Sequence, residues 1–157
     1  MLWFVLFFFS SNSYAIPKDI PTSPDLTITP GDVCTRNEAD EYRYPERIPY
    51  CRRDVDVETK EAVYDRYDRK YGLTAKGYTR HNFKIDHLIS LCMGGSNDAS
   101  NLWPQHITVS EITDKIEELL CIHMRDGRMK QSEAIETMRK VKMNLKLAPA
   151  VQEALEH

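Results

Sequence analysis

Asp86 and His87 stand side by side, and Asn101 follows fourteen residues after the histidine. An imidazole with an ordinary pKa near 6.5 is neutral often enough at pH 7 to take a proton from water. A carboxylate is a hard oxygen ligand, suited to a water-completed Mg²⁺ or Mn²⁺. An asparagine side chain can bond the ring or brace a loop by hydrogen bonds. These residue types together suit hydrolysis of a phosphodiester, which needs a deprotonated water in line with phosphorus and a cation to neutralise developing charge.

The elements that must position these groups are short. The run DHLISLCMGGSNDASNLWPQ, Asp86 to Gln105, reads as an apolar strand carrying Asp86-His87 at its start. A Gly94-Gly95 turn with a Ser96-Asn97-Asp98 rim follows, and Asn101 then enters a second strand, Leu102-Trp103. Both glycines are expected at positive φ in a tight turn, and Trp103 in the core. Strand alternation sends Asp86 and His87 to opposite faces, so the pair can cooperate only where the strand end is bent or open.

The run KIDHLISLCMGGSNDASNLWPQ, followed by TDKIEELL and DGRM, closely resembles the HNH endonucleases. The resemblance covers roughly residues 83–129, under a third of the chain, and rests on the DH, GGSND and NLWPQ blocks occurring in that order. It implies a ββα-metal core of two strands and one helix around a single divalent cation. It also implies Asp86 as a metal ligand, His87 as the general base that activates water, and Asn101 as the residue that holds the loop and base in place. The family's further ligand, a histidine or asparagine at the start of the helix after the second strand, is missing, because Val109-Ser110-Glu111 stands there. Glu111 is the best oxygen donor at that place, with His106 and Asp114 as rivals. If His106 were the donor, Zn²⁺ or Ni²⁺ would suit the site better. Thr108-Val109-Ser110-Glu111 is equally a capping box, in which Glu111 bonds back to the helix start.

Around this core the chain divides into recognisable stretches. MLWFVLFFFSSNSYA (1–15) has a short apolar run ahead of Ser13 and Ala15, spaced like a cleavage site, and reads as a secretory signal peptide, although no basic residue precedes the run. Residues 16–32 hold four prolines and read as an extended leader or linker. Residues 33–148 form the single nuclease-type domain, and 149–157 a tail without features. Four cysteines in an exported chain favour disulfides over zinc, and no CxxC pair is present. Of the three possible pairings, Cys34–Cys51 with Cys92–Cys121 is favoured. The first closes a sixteen-residue loop, worth about 3 kcal/mol. The second ties the loop after Asp86-His87 to the following helix.

Between Cys34 and Arg53, tyrosines and arginines interleave, a mixture that can stack on bases and neutralise phosphates. An equally good reading packs the tyrosines on the core and pairs the arginines with nearby acids. A helix over 57–71 is expected, capped by Asp56 and closed by Gly72, with Val63, Tyr64, Tyr67 and Tyr71 as its buried stripe. Arg80, His81 and Lys84 precede the motif and are the basic group expected near a bound phosphate, His81 being otherwise an ordinary surface histidine. A helix over about 108–125 should bury Ile112, Ile116, Leu119, Leu120 and His123 against the strands. A last helix over about 133–147 should bury Ile135, Met138, Val141 and Leu145. Its basic side, Arg139, Lys140, Lys142 and Lys146, could lie along a nucleic-acid backbone, although solvation alone explains it.

The formal net charge of −3 does not suit a general nucleic-acid binder, so any affinity must come from a local basic face and be salt-sensitive. No base-reading module is recognisable. The expectation is therefore an α+β chain, with an HNH core, additional helices and a disulfide-stapled N-terminal segment. It would be secreted or periplasmic without stable membrane association once the signal is removed. Its expected reaction is metal-dependent hydrolysis of nucleic-acid phosphodiesters, in DNA and by extension RNA. The alternative is a secreted, catalytically inactive HNH-like nucleic-acid-binding protein. Whether an inhibitor protein accompanies it is not written in the sequence.

Overall fold

A computed structural model describes residues 16–157; the expected signal peptide lies outside the described residues. The described residues are mixed α+β, with two small antiparallel sheets and four helices, held by two disulfides. Strands β1 (Glu41–Arg43) and β2 (Ile48–Tyr50) form the first hairpin. Helix α1 (Val57–Tyr71) follows, then β3 (Phe83–His87) and β4 (Leu102–His106), paired so that Asp86 faces Trp103 and His87 faces Leu102. Helices α2 (Ile107–Arg125), α3 (Gln131–Met143) and α4 (Ala148–Glu156) complete the chain.

Helix α1 starts and stops as its sequence dictates. The Asp56 side chain accepts from the Thr59 amide at 2.6 Å, and Gly72, at φ 62°, closes the last turn in the left-handed region. Its buried face, Val63, Tyr64 and Tyr67, covers the β3–β4 pair together with Phe83, Leu102 and Trp103. Trp103 is fully buried, as expected.

The helix after the motif does not lie chiefly on the strands. Ile116, Leu120 and Met124 of α2 pack with Met138 and Val141 of α3, Leu155 of α4, and Leu88, Ile89 and Met93 from the loop after β3. The β3–β4 hairpin thus sits between two cores, one built by α1 and one by the three C-terminal helices.

Two stretches without sequence signal turn out to be structural. Residues 16–32 contain no helix or strand, but Ile20 is buried, and Thr29 is enclosed, donating to the Leu102 carbonyl at 2.9 Å. The Tyr67 hydroxyl meets Thr29 Oγ1 at 2.9 Å and accepts from the Asp25 amide at 2.9 Å, pinning the segment along α1. The tail is helix α4, with Pro149 in its first turn, where proline costs no helix hydrogen bond, and Leu155 in the core. The expected last helix ends early at Met143. Asn144 breaks it, and its side chain accepts from the Lys146 amide to start a separate short 3-10 turn.

The cysteines pair as favoured from the sequence, Cys34 with Cys51 and Cys92 with Cys121. Within the first loop, arginines and tyrosines stack on one another: the Arg43 guanidinium lies 3.2 Å from the centroid of the Tyr50 ring, and Arg47 lies over Tyr42.

Candidate functional site

Asp86 and His87 end β3 rather than begin a strand, which corrects the expected order. The reason is Asn101. Leu88 still donates its amide to the Asn101 carbonyl at 2.7 Å, but at Ile89 the asparagine side chain replaces a strand partner. Asn101 Oδ1 accepts from the Ile89 amide at 2.8 Å, and its Nδ2 donates to the carbonyls of Ile89 and Ser96, both at 2.9 Å. Fully buried, Asn101 is the brace of the loop and makes no bond to the imidazole. The chain packs so closely there that a Cβ on Gly95 would lie 1.8 Å from the Ile89 carbonyl oxygen. Glycine is needed at 95 for proximity, while only Gly94, at φ 79°, needs it for conformation.

The residue that does meet His87 is Asn97, from the same polar rim. Its Nδ2 donates to the Arg52 carbonyl at 2.6 Å, which leaves Oδ1 toward the ring, 3.2 Å from His87 Nε2. An amide oxygen can only accept, so Nε2 carries the hydrogen and Nδ1 keeps its lone pair. Arg53 faces that lone pair, with Nη1 3.4 Å from Nδ1, and its Nη2 donates to the Ile85 carbonyl at 2.9 Å. Burial pushes the His87 pKa down to about 4, and the Arg53 charge adds to this, so the ring is neutral at pH 7.

Asp86 points to the other face of β3. Its Oδ2 accepts from Lys142 Nζ at 2.9 Å; the same ammonium donates to the His87 carbonyl at 2.5 Å and lies 3.7 Å from Glu117 Oε2. Lys142 was expected on a solvated basic side. It is instead fully enclosed in the last turn of α3. Burial opposes its charge, but the Asp86 and Glu117 carboxylates outweigh this and hold its pKa above the ordinary lysine value. Burial likewise opposes the Asp86 charge, and Lys142 outweighs it, keeping the carboxyl below its ordinary value.

A cavity of about 700 Å³ opens at this face. Arg53, Lys84 and Arg125 line it beside Asp86, Asp114, Glu117 and Glu118, and the Cys92–Cys121 disulfide forms part of its wall. Asn97 also lines a second hollow with Glu38, Asp40, Asp54, Asp98 and Arg52, a mostly acidic rim.

The candidates for a further metal ligand do not gather at Asp86. His106 is three register positions away, opposite Phe83, where its Nδ1 caps α2 by accepting from the Thr108 amide. That corrects the capping box, since the N-cap is His106 and not Thr108. Glu111 is exposed and outside the cavity. Asp114 lines the cavity but is paired with Lys84 at 2.9 Å. Among the described residues no three His, Cys, Asp or Glu side chains are grouped to hold a metal ion. With the Asp86 carboxylate bonded to Lys142, the donor set does not fit the divalent ion that the resemblance implies.

The expected phosphate group is also dispersed. Arg80 pairs with Glu61 and Asp65 at 3.2 Å on the α1 side, His81 is exposed, and only Lys84 reaches the cavity. Asn97 and Lys142 were not singled out as site residues by sequence, and Arg53 only as one of the interleaved arginines. For Arg53 a signal was present, its place two residues after Cys51, since a disulfide fixes where the following chain must run.

Comparison with known proteins returns nothing: no family model matches the chain, and no curated protein or solved structure matches it significantly. Among the described residues no helix is long and apolar enough to cross a membrane.

Proposed function

We propose that this chain is an exported phosphodiester hydrolase of HNH type, acting as an endonuclease on DNA, and on RNA by the same chemistry, with His87 as general base. The observation that carries the reading is the His87 ring: neutral at pH 7, locked in one tautomer by Asn97, with its free nitrogen facing the Arg53 guanidinium, which also lines the cavity on the Asp86 face. Further support comes from the strand, loop, strand and helix order around Asp86, His87 and Asn101. Two disulfides suit an oxidising compartment, in keeping with export.

The chemistry follows from these groups. Arg53 is exposed and can swing from Nδ1 to a phosphate oxygen, for which its fork of donors is suited. A water then stands between Nδ1 and phosphorus. Its oxygen attacks phosphorus, its proton passes to Nδ1, and the leaving oxygen departs with the P–O electron pair and takes a proton from solvent. Asn97 holds the ring in place throughout, and Asn101 holds the loop that carries Asn97. Because the donors at Asp86 do not fit a divalent ion, no step is routed through one.

Plasmid nicking tests the reading. His87→Ala should lose nicking by a factor on the order of 10² to 10⁴ with the fold retained by circular dichroism. Nicking by that variant at the rate of the unmodified chain would end the proposal. The second reading, an inactive nucleic-acid-binding protein, is favoured by the commitment of Asp86 to Lys142. It predicts retention of DNA on a column with no nicking, whether or not Mg²⁺ or Mn²⁺ is added.

A further inference from the structure

Lys142 is the least expected group in the molecule: a lysine without exposed surface, on a helix 56 residues beyond Asp86 in the chain, with its ammonium at the strand end. Lysine is almost never enclosed unless paired. Here three oxygens stand around one nitrogen, namely Asp86 Oδ2 at 2.9 Å, the His87 carbonyl at 2.5 Å and Glu117 Oε2 at 3.7 Å. Two carboxylates and one carbonyl make an oxygen set of the kind a hard cation takes. The first two are hydrogen bonds to charged or carbonyl oxygen, and Glu117, at 3.7 Å, adds an ion pair beyond hydrogen-bond distance.

We infer that Lys142 is the resident cation of this site, its ammonium filling the seat beside Asp86 that the resemblance gives to a divalent metal. The inference rests on reading Asp86 and His87 as one site, and it gives that site its charge balance. Asp86 is neutralised from within, and its bonded oxygen cannot take up a metal ion unless a buried ion pair is broken. The donation to the His87 carbonyl also ties the cation to the backbone that carries the base. An ion arriving from solvent would need to displace a group anchored by the α3 core, whose neighbours Met138 and Val141 are fully buried. Lys142 acts here as a positioning residue, holding Asp86 and the end of β3.

The test uses Mn²⁺ as a paramagnetic probe on the disulfide-bonded protein, with backbone amide resonances read by NMR. In the unmodified chain the amides of Asp86, His87 and Leu88 should stay sharp at Mn²⁺ concentrations that broaden exposed acidic positions such as Asp98. Lys142→Met, which keeps the length of the stem and removes the charge, should open the seat, so that Mn²⁺ broadens Asp86 and His87 first. Early broadening at Asp86 in the unmodified chain would overturn the inference. So would a folded Lys142→Met protein that remains sharp there. If that variant does not fold, the titration of the unmodified chain decides alone. Nicking by the unmodified chain should be unchanged by EDTA, and an EDTA-abolished activity would also overturn it. A chain that never nicks refutes the nuclease reading but leaves the NMR result to judge the cation seat.

Discussion

The two faces of β3 handle charge in opposite ways. On one face the Asp86 carboxylate is kept ionised by bringing an ammonium into the interior to meet it. On the other, one residue further on, burial holds the His87 imidazole neutral, and the nearest cation, Arg53, remains at the surface. The first arrangement is closed, because the buried Lys142 ammonium bonds Asp86 and the His87 carbonyl and has Glu117 3.7 Å away. The second is open only toward Arg53: the ring is buried, with Nε2 fixed by Asn97 and Nδ1 facing the exposed guanidinium. A closed ion pair holds a strand end in place; an available lone pair beside a swinging guanidinium can do chemistry. The comparison puts the buried ion pair on the Asp86 face and, on the reading proposed above, the base on the His87 face.

Asp86→Ala attacks the closed face most directly and should destabilise the fold by about 3–5 kcal/mol, since it strands a buried ammonium. Urea unfolding measures this. Replacing both partners, Asp86→Leu with Lys142→Met, should cost less than Asp86→Ala alone, because no unpaired charge is left inside. Equal losses in the two proteins would mean that the pair is not the source of the stability.

The open face responds to pH. The His87 pKa falls from 6.5 to about 4 on folding, so between those values the unfolded chain binds a proton that the folded chain does not. Stability should therefore be steady above pH 6.5 and fall by about 2–3 kcal/mol as pH drops toward 4. His87→Gln should flatten that part of the profile. In activity, the acid limb of kcat/KM should lie well below pH 6.5. A limb centred near 6.5 would show that the ring is not buried in the working protein.

The smallest effect belongs to Arg80, once expected near phosphate. Paired with Glu61 and Asp65 at the surface, its replacement by Ala should cost no more than about 1 kcal/mol. DNA retention should be unchanged by it, while Arg53→Ala should weaken retention. The reverse result would move the phosphate to the α1 side.

Local signals were legible in the sequence. Asp56 and Gly72 marked the ends of α1, apolar spacing marked α2, and the cysteine pairs were correctly favoured. The resemblance picked out Asp86, His87 and Asn101, and the structure puts them around one strand end. The order of β3 was misread because the strand stops where the Asn101 side chain takes over from backbone pairing, and no residue within Asp86 to Ile89 announces that. The tail was overlooked because a nine-residue helix shows its apolar face only once α2 is there to cover it.

Caps, periodicity and cysteine parity act within a segment or through covalent bonds, so the chain alone determined them. Which charge is buried with which was decided only by the fold. Spacing puts Lys142 four residues after Met138 on the buried stripe of α3 and Lys140 on the opposite face, where it pairs with Glu136 in solvent, but nothing in that spacing names Asp86 as the partner of Lys142. The cost of removing an ion from water depends on the partner waiting inside, and that partner is placed by packing between segments distant in sequence.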